Sequence, residues 1–428
     1  MNSLTRRIPL TTYAWLVWIV AALFYAYEFF LRISPSVMKP DLMQTFAIDA
    51  TQFGLLSGLY YYAYASMQLP VGVLLDTFGI RRLLTLAACA VTVGCLLFAT
   101  THSLLLAQLG RILMGIGSAF SFIGCLKLIA NWFPEKYLAM VIGLTNTLGV
   151  MGAISGEGPL SIVVHQLGWR DTFFIAAICG ILIVVLIRLL VRDKPWQTIA
   201  GTKQDASTPQ HFWDGISRVV RSKRTWLVAM VGGLMVAPVS TFTELWGVPF
   251  LEKAHHISQT HAAFLTSIMF IGIAVGGPLH GLTSGLLKRR KPVIWFGCLF
   301  ALLIMSSIFY LPINNVWFLG VLLFLFGYCI SSMLLCFAIN SELHPSWATG
   351  VSVGFTNMCV MLGGTIFQPL VGKLLDAQWT GLLHDKERLY TLHAYHTALA
   401  VLPACLIAAL IIIPFISETF CSREADCC

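Results

Sequence analysis

The chain has 428 residues, 57% of them hydrophobic and 11% charged, with a formal net charge of +8 and a mean hydropathy of +0.81. Soluble domains carry about one-quarter charged residues, so a water-covered globule is excluded and an integral membrane protein is expected. The positive charge lies mostly between apolar runs, which reads as membrane topology and not as a nucleic-acid surface.

About 20 apolar residues cross the hydrocarbon. Twelve such stretches are predicted, at about 13–34, 53–75, 83–101, 104–129, 138–163, 172–191, 225–250, 262–287, 293–311, 316–340, 347–374 and 393–416. The first is too long for a signal-peptide core and is read as a retained span. An even number of spans puts both termini on one side. That side, with the even-numbered loops, collects 18 of the 27 Lys and Arg residues, so both termini are expected in the cytoplasm. Nine of the twelve cysteines fall within apolar runs and read as small hydrophobes. Cys421, Cys427 and Cys428 lie in the polar tail. No cysteine pair has zinc or redox spacing, and His255, His256 and His261 read as solvated loop residues, so no metal is expected.

The polar stretch 192–224 divides the chain. Phe212, Ile216, Val219 and Val220 recur there at helical spacing beside Arg218, Arg221, Lys223 and Arg224. An amphipathic helix on the cytoplasmic membrane surface is predicted, with a disordered linker as the alternative. The predicted organisation is an N-terminal six-helix bundle (1–191), this linker (192–224), a C-terminal six-helix bundle (225–416) and a cytoplasmic tail (417–428).

The halves repeat. Pro134, Gly143, Asn146 and Gly152 match Pro345, Gly354, Asn357 and Gly363 at an offset of 211, and Trp169 matches Trp379 at 210. Equal span parity makes this a parallel repeat about an axis along the membrane normal, an arrangement of transporters. The loop GVLLDTFGIRR, Gly72 to Arg82, then carries Gly72, Leu74, Asp76, Gly79 and Arg81 in the pattern G-x-L-x-D-x-x-G-x-[RK]. It resembles the signature loop of the major facilitator superfamily. Arg111, Gly115 and Gly117 of GRILMGIGSA resemble that family's fourth-span pattern. The resemblance covers the whole chain. It implies an all-α membrane protein of twelve transmembrane helices in two bundles, working by alternating access. Gly72, Asp76, Gly79, Arg81 and Arg82 are then the gating motif. Its glycines are expected to let helices approach, Asp76 to face a helix end, and the arginines to hold the gate. The second-half loop, Gly281 to Lys291, has Gly285 in place of the aspartate, so unequal gates are expected.

Ionisable residues inside spans are functional candidates. Glu28, Glu157 and Glu244 each lie roughly six residues, about 9 Å, from the outer ends of their spans. Arg111 lies roughly 11 Å below the outer start of its span, so the four share a level. Arg32 stands one turn beyond Glu28 on the same face. An ion pair between Glu28 and Arg111 is expected, either as a static tie or as part of a proton-coupling device. Glu28 or Glu157 would then bind the driving proton. Lys127, near the cytoplasmic end of its span, is expected to snorkel.

The run FFLRISPSVMKPDL resembles the first-span arginine pattern of the organic-anion branches, where the arginine holds a carboxylate or phosphate. Those that carry organic phosphates have a second arginine in span seven, where this chain has Glu244. One cation among several carboxylates suits a zwitterion: Arg32 for a carboxylate, Glu157 or Glu244 for an amine. The alternative is an Arg32 that only anchors at the outer interface. YAYEFFLRISPSVM, FGLLSGLYYYAYASMQLPVGVLLDTFG and GAISGEGP together are similar to the phagosomal transporter family of intracellular bacteria. That likeness implies nutrient uptake, of amino acids or nucleosides, across a bacterial inner membrane. Tyr60 and Tyr64, one turn apart, are read as a substrate wall or as packing. Asn146 and Asn357, at equivalent repeat positions, are expected to face the bundle axis, and Glu157-Gly158-Pro159 to break span five. The predicted partners are a small-molecule substrate, protons and membrane lipid, with a monomer expected and no nucleic acid. No cofactor is expected, and no nucleophile–base spacing or phosphate loop suggests an enzyme. The function expected is proton-coupled uptake of a carboxylate-bearing metabolite such as an amino acid. The alternatives are organic-anion transport, drug or siderophore export, and a non-transporting sensor.

Overall fold

The computed structural model describes residues 10–194, 209–384 and 387–420. The tail cysteines lie outside these residues, as do five of the basic residues counted for sidedness, Arg6, Arg7, Lys203, Lys386 and Arg423. The first half consists of α1 (Leu10–Ile33), α2 (Lys39–Phe46), α3 (Ala50–Met67), α4 (Pro70–Phe78), α5 (Ile80–Thr100), α6 (Leu104–Trp132), α7 (Glu135–Ser155), α8 (Gly158–Leu167) and α9 (Trp169–Leu190). Helix α10 (Pro209–Arg221) follows. The second half runs α11 (Lys223–Pro238), a π-helical segment (Val239–Trp246), α12 (Gly247–His255), α13 (Gln259–Leu287), α14 (Lys291–Tyr310), α15 (Val316–Ile330), α16 (Leu335–Glu342), α17 (Thr349–Ala377), α18 (Leu392–Leu399) and α19 (Val401–Ile412). A two-residue hairpin, Leu383–His384 with Glu387–Arg388, joins α17 to α18.

Eleven helical stretches among the described residues are long and apolar enough to cross a membrane. The remaining expected span, 53–75, is α3 followed by α4. It misses that measure because three consecutive tyrosines, Gln52 and Ser57 dilute the apolar content of α3 and the helix restarts at Pro70. The expected break in span five is present: Glu157, with φ −119° and ψ −93°, separates α7 from α8.

Within the first half α1 packs on α6 and α7, and α5 on α6 and α9. In the second half α11 packs on α17 and α19, and α13 and α14 on α15. The sequence repeat is a repeat in space. A Cβ on Gly152 would sit 2.1 Å from the Ala26 carbonyl oxygen on α1, and one on Gly363 would sit 3.1 Å from the Cα of Ala237 on α11. Both contact pairs obey the 211-residue offset, and both use a missing side chain to bring two backbones together.

With an even number of helical passes, both ends of the described chain lie on one face, the terminal face. Each half carries a clasp there. Asp193, after α9, accepts the backbone N–H of Arg81 at 2.6 Å, and Glu418, after α19, accepts those of Arg290 and Lys291 at 2.7 and 3.1 Å. A carboxylate thus caps the third crossing helix of each half at its N-terminus. Helix α10 follows the first half in the chain and packs on α11 and α17 of the second. Its Val219 is fully buried against Ala229, Phe355 and Cys359, so part of the apolar face expected to rest on lipid packs on protein instead.

The halves meet along two seams, α3 on α17 and α7–α8 on α13. On the face opposite the termini both are closed. A Cβ on Gly372 would meet the Ala50 carbonyl oxygen at 2.2 Å. The Asp376 carboxylate accepts from Ala50 N at 3.3 Å, Thr51 N at 2.7 Å and Thr51 Oγ1 at 2.5 Å, and also from Arg388 and Tyr390. Toward the terminal face the α3–α17 seam stays closed as far as Gln68, whose Oε1 accepts from Asn357 Nδ2 at 2.8 Å. The α7–α13 seam opens. Gly143, Leu144, Asn146 and Thr147 are all exposed, whereas farther along α7 only Met151 is exposed. Added Cβ atoms on Gly143, Gly281 or Gly285 would meet nothing.

Candidate functional site

Helix α1 is hydrophobic on every side except for the one-turn pair Glu28 and Arg32 near its end. Both are buried, at 0 and 4% exposure, which rules out Arg32 as a mere interface anchor. The Arg32 guanidinium bridges two carboxylates: Nη1 to Glu28 Oε1 at 3.4 Å, and Nη2 to Glu244 Oε1 at 3.5 Å. Glu244 comes from the π-helical segment, so the pair with Arg32 crosses between halves. Tyr60 Oη donates to Glu28 Oε1 at 3.0 Å. Tyr64 stacks on Tyr60 with ring centroids 6.2 Å apart, and Phe29 lies under the guanidinium at 3.9 Å. The two tyrosines, read as a wall or as packing, therefore adjoin the charges. Glu28 Oε2, Glu244 Oε2 and Arg32 Nε are buried without a hydrogen-bond partner. Buried polar atoms are nearly always paired, so this cluster keeps unused capacity for a polar ligand.

Arg111 does not pair with Glu28. Its Nη1 donates to the Leu31 carbonyl oxygen at 2.9 Å, and its Nη2 to those of Ser57 and Arg32 at 3.4 and 3.5 Å. Helix α1 ends at Ile33, so its last carbonyls have no partner within the helix, and the guanidinium fills that need. Arg111 also lies over the Tyr60 ring at 4.9 Å. Its depth is as expected, but its direction is not.

Glu157 stands at the break between α7 and α8, fully buried. Its Oε2 accepts from Thr266 Oγ1 and, at 3.4 Å, from Ser267 Oγ, both on α13 of the other half. Oε1 has no partner, and among the described residues no cation pairs with this carboxylate. Glu157 is therefore separate from the Arg32 cluster, and the amine-holding role read for it would need a group other than the ones around Arg32. Asn357 reaches Gln68 across the closed seam. Asn146, its repeat partner, is exposed and hydrogen-bonds nothing among the described residues. It lies on the face of α7 that, one turn farther, packs Gly149 against Tyr25 and Phe29.

At the terminal face Lys127 does more than snorkel. It pairs with Asp76 and donates to the Gly72 carbonyl oxygen at 2.8 Å. Asp76 thus meets an ammonium on α6, not a helix end. Open space surrounds Gly72, so close helix approach does not explain it, whereas Gly79 has φ +87° and is held to glycine by backbone. Arg81 Nη2 donates to the Arg188 carbonyl oxygen at 2.5 Å, and Arg82 is exposed and has no partner among the described residues. Among the described residues neither arginine has a hydrogen bond or ion pair to the second half. In the second-half loop Arg290 pairs with Glu342 at 2.7 Å, which supplies the acid that Gly285 lacks.

Gln68, Asp376, Thr266, Ser267, Glu342 and Glu418 were not foreseen. Hydroxyl residues inside an apolar run carry no signal of their own, and acids at span ends look like ordinary loop residues.

The model of the Major Facilitator Superfamily matches residues 17–367 and 245–419. A probable galactarate/D-glucarate transporter, GudP of Escherichia coli, is 24% identical over 395 residues, which is 84% of this chain and 86% of that protein. The membrane sensor protein UhpC of Salmonella typhimurium is 22% identical, covering 94% of this chain and 90% of its own. A solved bacterial homologue of the human lysosomal transporter Spinster, inward-facing and unoccupied, superposes with a TM-score of 0.74 at 18% identity over 96% of each chain. Family match, repeat geometry and the two-bundle architecture agree: the chain belongs to the Major Facilitator Superfamily and is a secondary transporter of that type.

Proposed function

We propose that this protein is a proton-coupled importer of a small carboxylate-bearing metabolite such as an amino acid, working by alternating access between units 1–191 and 225–416, with 192–224 as the linker and 417–428 as the tail. The observation that carries it is Arg32 held between Glu28 and Glu244 of opposite halves. A substrate carboxylate is the natural competitor for that guanidinium. When it displaces Glu244, the freed glutamate is left in an apolar interior and must be neutralised by a proton or by a substrate ammonium. Displacement also unties the halves, which links binding to motion. Tyr60 and Tyr64 wall the site, and Asn146 and Asn357 line the path toward it.

The driving proton is assigned to Glu157. It has two hydroxyl neighbours and no cation, and a proton on it can be donated to Thr266 Oγ1 while Thr266 donates to the Ala263 carbonyl oxygen at 2.9 Å. Arg111 holds the end of α1 in place for Arg32. By sequence, 18 of 27 basic residues fall at the termini and in the loops of that side, so the terminal face is taken as cytoplasmic, in a bacterial inner membrane.

A second reading is a sugar-acid transporter, favoured by the likeness to GudP. Against a dianion, Arg111 is engaged by carbonyls and Arg32 alone remains to bind carboxylate. Uptake into proteoliposomes of labelled amino acids, hexuronate and glucarate, with and without an imposed pH gradient, tests the reading. Accumulation of an amino acid that collapses with the gradient is expected. Gradient-driven uptake of glucarate alone replaces the substrate assigned here, and binding without movement of any solute replaces transport with sensing.

A further inference from the structure

The first turn of α5 carries Arg81 and Arg82 and no acidic residue. Basic side chains at a helix N-terminus face the positive end of its dipole, so this end calls for anions. Asp193 supplies one, at the Arg81 backbone N–H. It does not satisfy the guanidiniums. Arg81 Nε is buried without a partner, and among the described residues neither Arg82 nor the side chain of Arg188 meets an acid. Arg188 projects from the last turn of α9, which packs on α5. Together Arg81, Arg82, Thr85, Leu86 and Arg188 line a groove of about 440 Å³ at the terminal face, large enough for a phosphate with its glycerol.

From the groove toward the middle of the membrane, Leu86 and Val93 of α5 and Leu182, Val185 and Leu189 of α9 are exposed, each by more than 40%. An apolar groove rimmed by guanidiniums, continuing into an apolar outer seam, has the shape and polarity of a phospholipid: headgroup at the guanidinium rim, acyl chain along the helices. We propose that this groove binds the phosphate of an anionic phospholipid from the leaflet at the terminal face. The lipid supplies the second anion that the α5 terminus lacks and ties α5 to α9. The site lies wholly within the first half and apart from Arg32 and Glu157; it shares Arg81 and Arg82 with the expected gate, and its test reads lipid retention and not transport.

The test is native mass spectrometry of the full chain in mixed micelles of phosphatidylcholine and phosphatidylglycerol. The natural chain should retain one phosphatidylglycerol in preference to phosphatidylcholine. Arg82→Ala with Arg188→Ala should weaken that adduct about thirtyfold, the weight of two cations on an anionic headgroup. Arg82→Lys with Arg188→Lys should keep most of it and guards against misfolding as the explanation. Lys288→Ala with Arg289→Ala removes the same charge from the other half and should leave the adduct in place. Equal retention of the two lipids, an unchanged adduct in the double alanine variant, or equal loss in the control overturns the proposal. Displacement by millimolar inorganic phosphate or glycerol phosphate would reassign the groove to a soluble anion and overturn the lipid as its occupant.

Discussion

Asp376→Asn should unlatch the face opposite the termini. The carboxylate of α17 receives both leading backbone N–H groups of α3, those of Ala50 and Thr51, while Asp49 takes the third from Gln52 at 2.8 Å. The α3 terminus is therefore capped jointly by its own half and by the other. Two charge-assisted bonds are worth about 1.5 kcal/mol each, and the helix dipole adds about 0.5 kcal/mol. An amide fits poorly. Asp376 Oδ1 accepts from Ala50, Arg388 and Tyr390, and Oδ2 accepts from the backbone and hydroxyl of Thr51. Whichever way asparagine turns, its NH₂ points at donors. The amide's carbonyl oxygen keeps one neutral bond worth about 1.5 kcal/mol of the total of about 3.5 kcal/mol, so a loss of about 2 kcal/mol from the closed state follows, or about thirtyfold in the ratio of closed to open. Hydrogen–deuterium exchange in nanodiscs reads this directly. Amides of 50–58 and 259–266 should exchange roughly thirtyfold faster, with the α5–α6 core unchanged. Unchanged exchange at both seams, within about twofold, would refute the latch.

Three further outcomes are expected. Arg32→Lys keeps the charge but loses the planar fork that spans Glu28 and Glu244, so substrate affinity measured by scintillation proximity should fall at least tenfold. Glu157→Gln should preserve substrate exchange at equal pH on both sides while abolishing accumulation driven by a pH gradient; accumulation that persists assigns the proton elsewhere. Gly152→Ala places a Cβ 2.1 Å from the Ala26 carbonyl oxygen and must push α7 off α1, at a cost of about 1–3 kcal/mol visible as a lower Tm in detergent.

The crossings, the repeat and the terminal-face loop were legible because each rests on local composition or fixed spacing. The partners of the buried charges were not. Counting residues along a span gives the depth of Arg111, but not the direction in which its long side chain points. The carbonyls at the end of α1, which settle that direction, come within its reach only once α1 and α6 are packed. Arg32 and Glu244 lie 212 residues apart, and no pattern in either half announces the pair. Asn146 and Asn357 mark a further limit. They are equivalent in sequence, yet one is bonded across a closed seam and the other faces an open one, because sequence symmetry does not encode which state of the cycle is occupied.

The paired clasps of Asp193 and Glu418 bear on how the molecule can deform. Each fastens the exit of a half's last crossing to the entry of its third, so each half behaves as a belt buckled on itself. Flexing is then confined to what joins the two belts. Shortening the chain ahead of Glu418 would unbuckle one half only, leaving a lopsided machine whose intact half still keeps its shape.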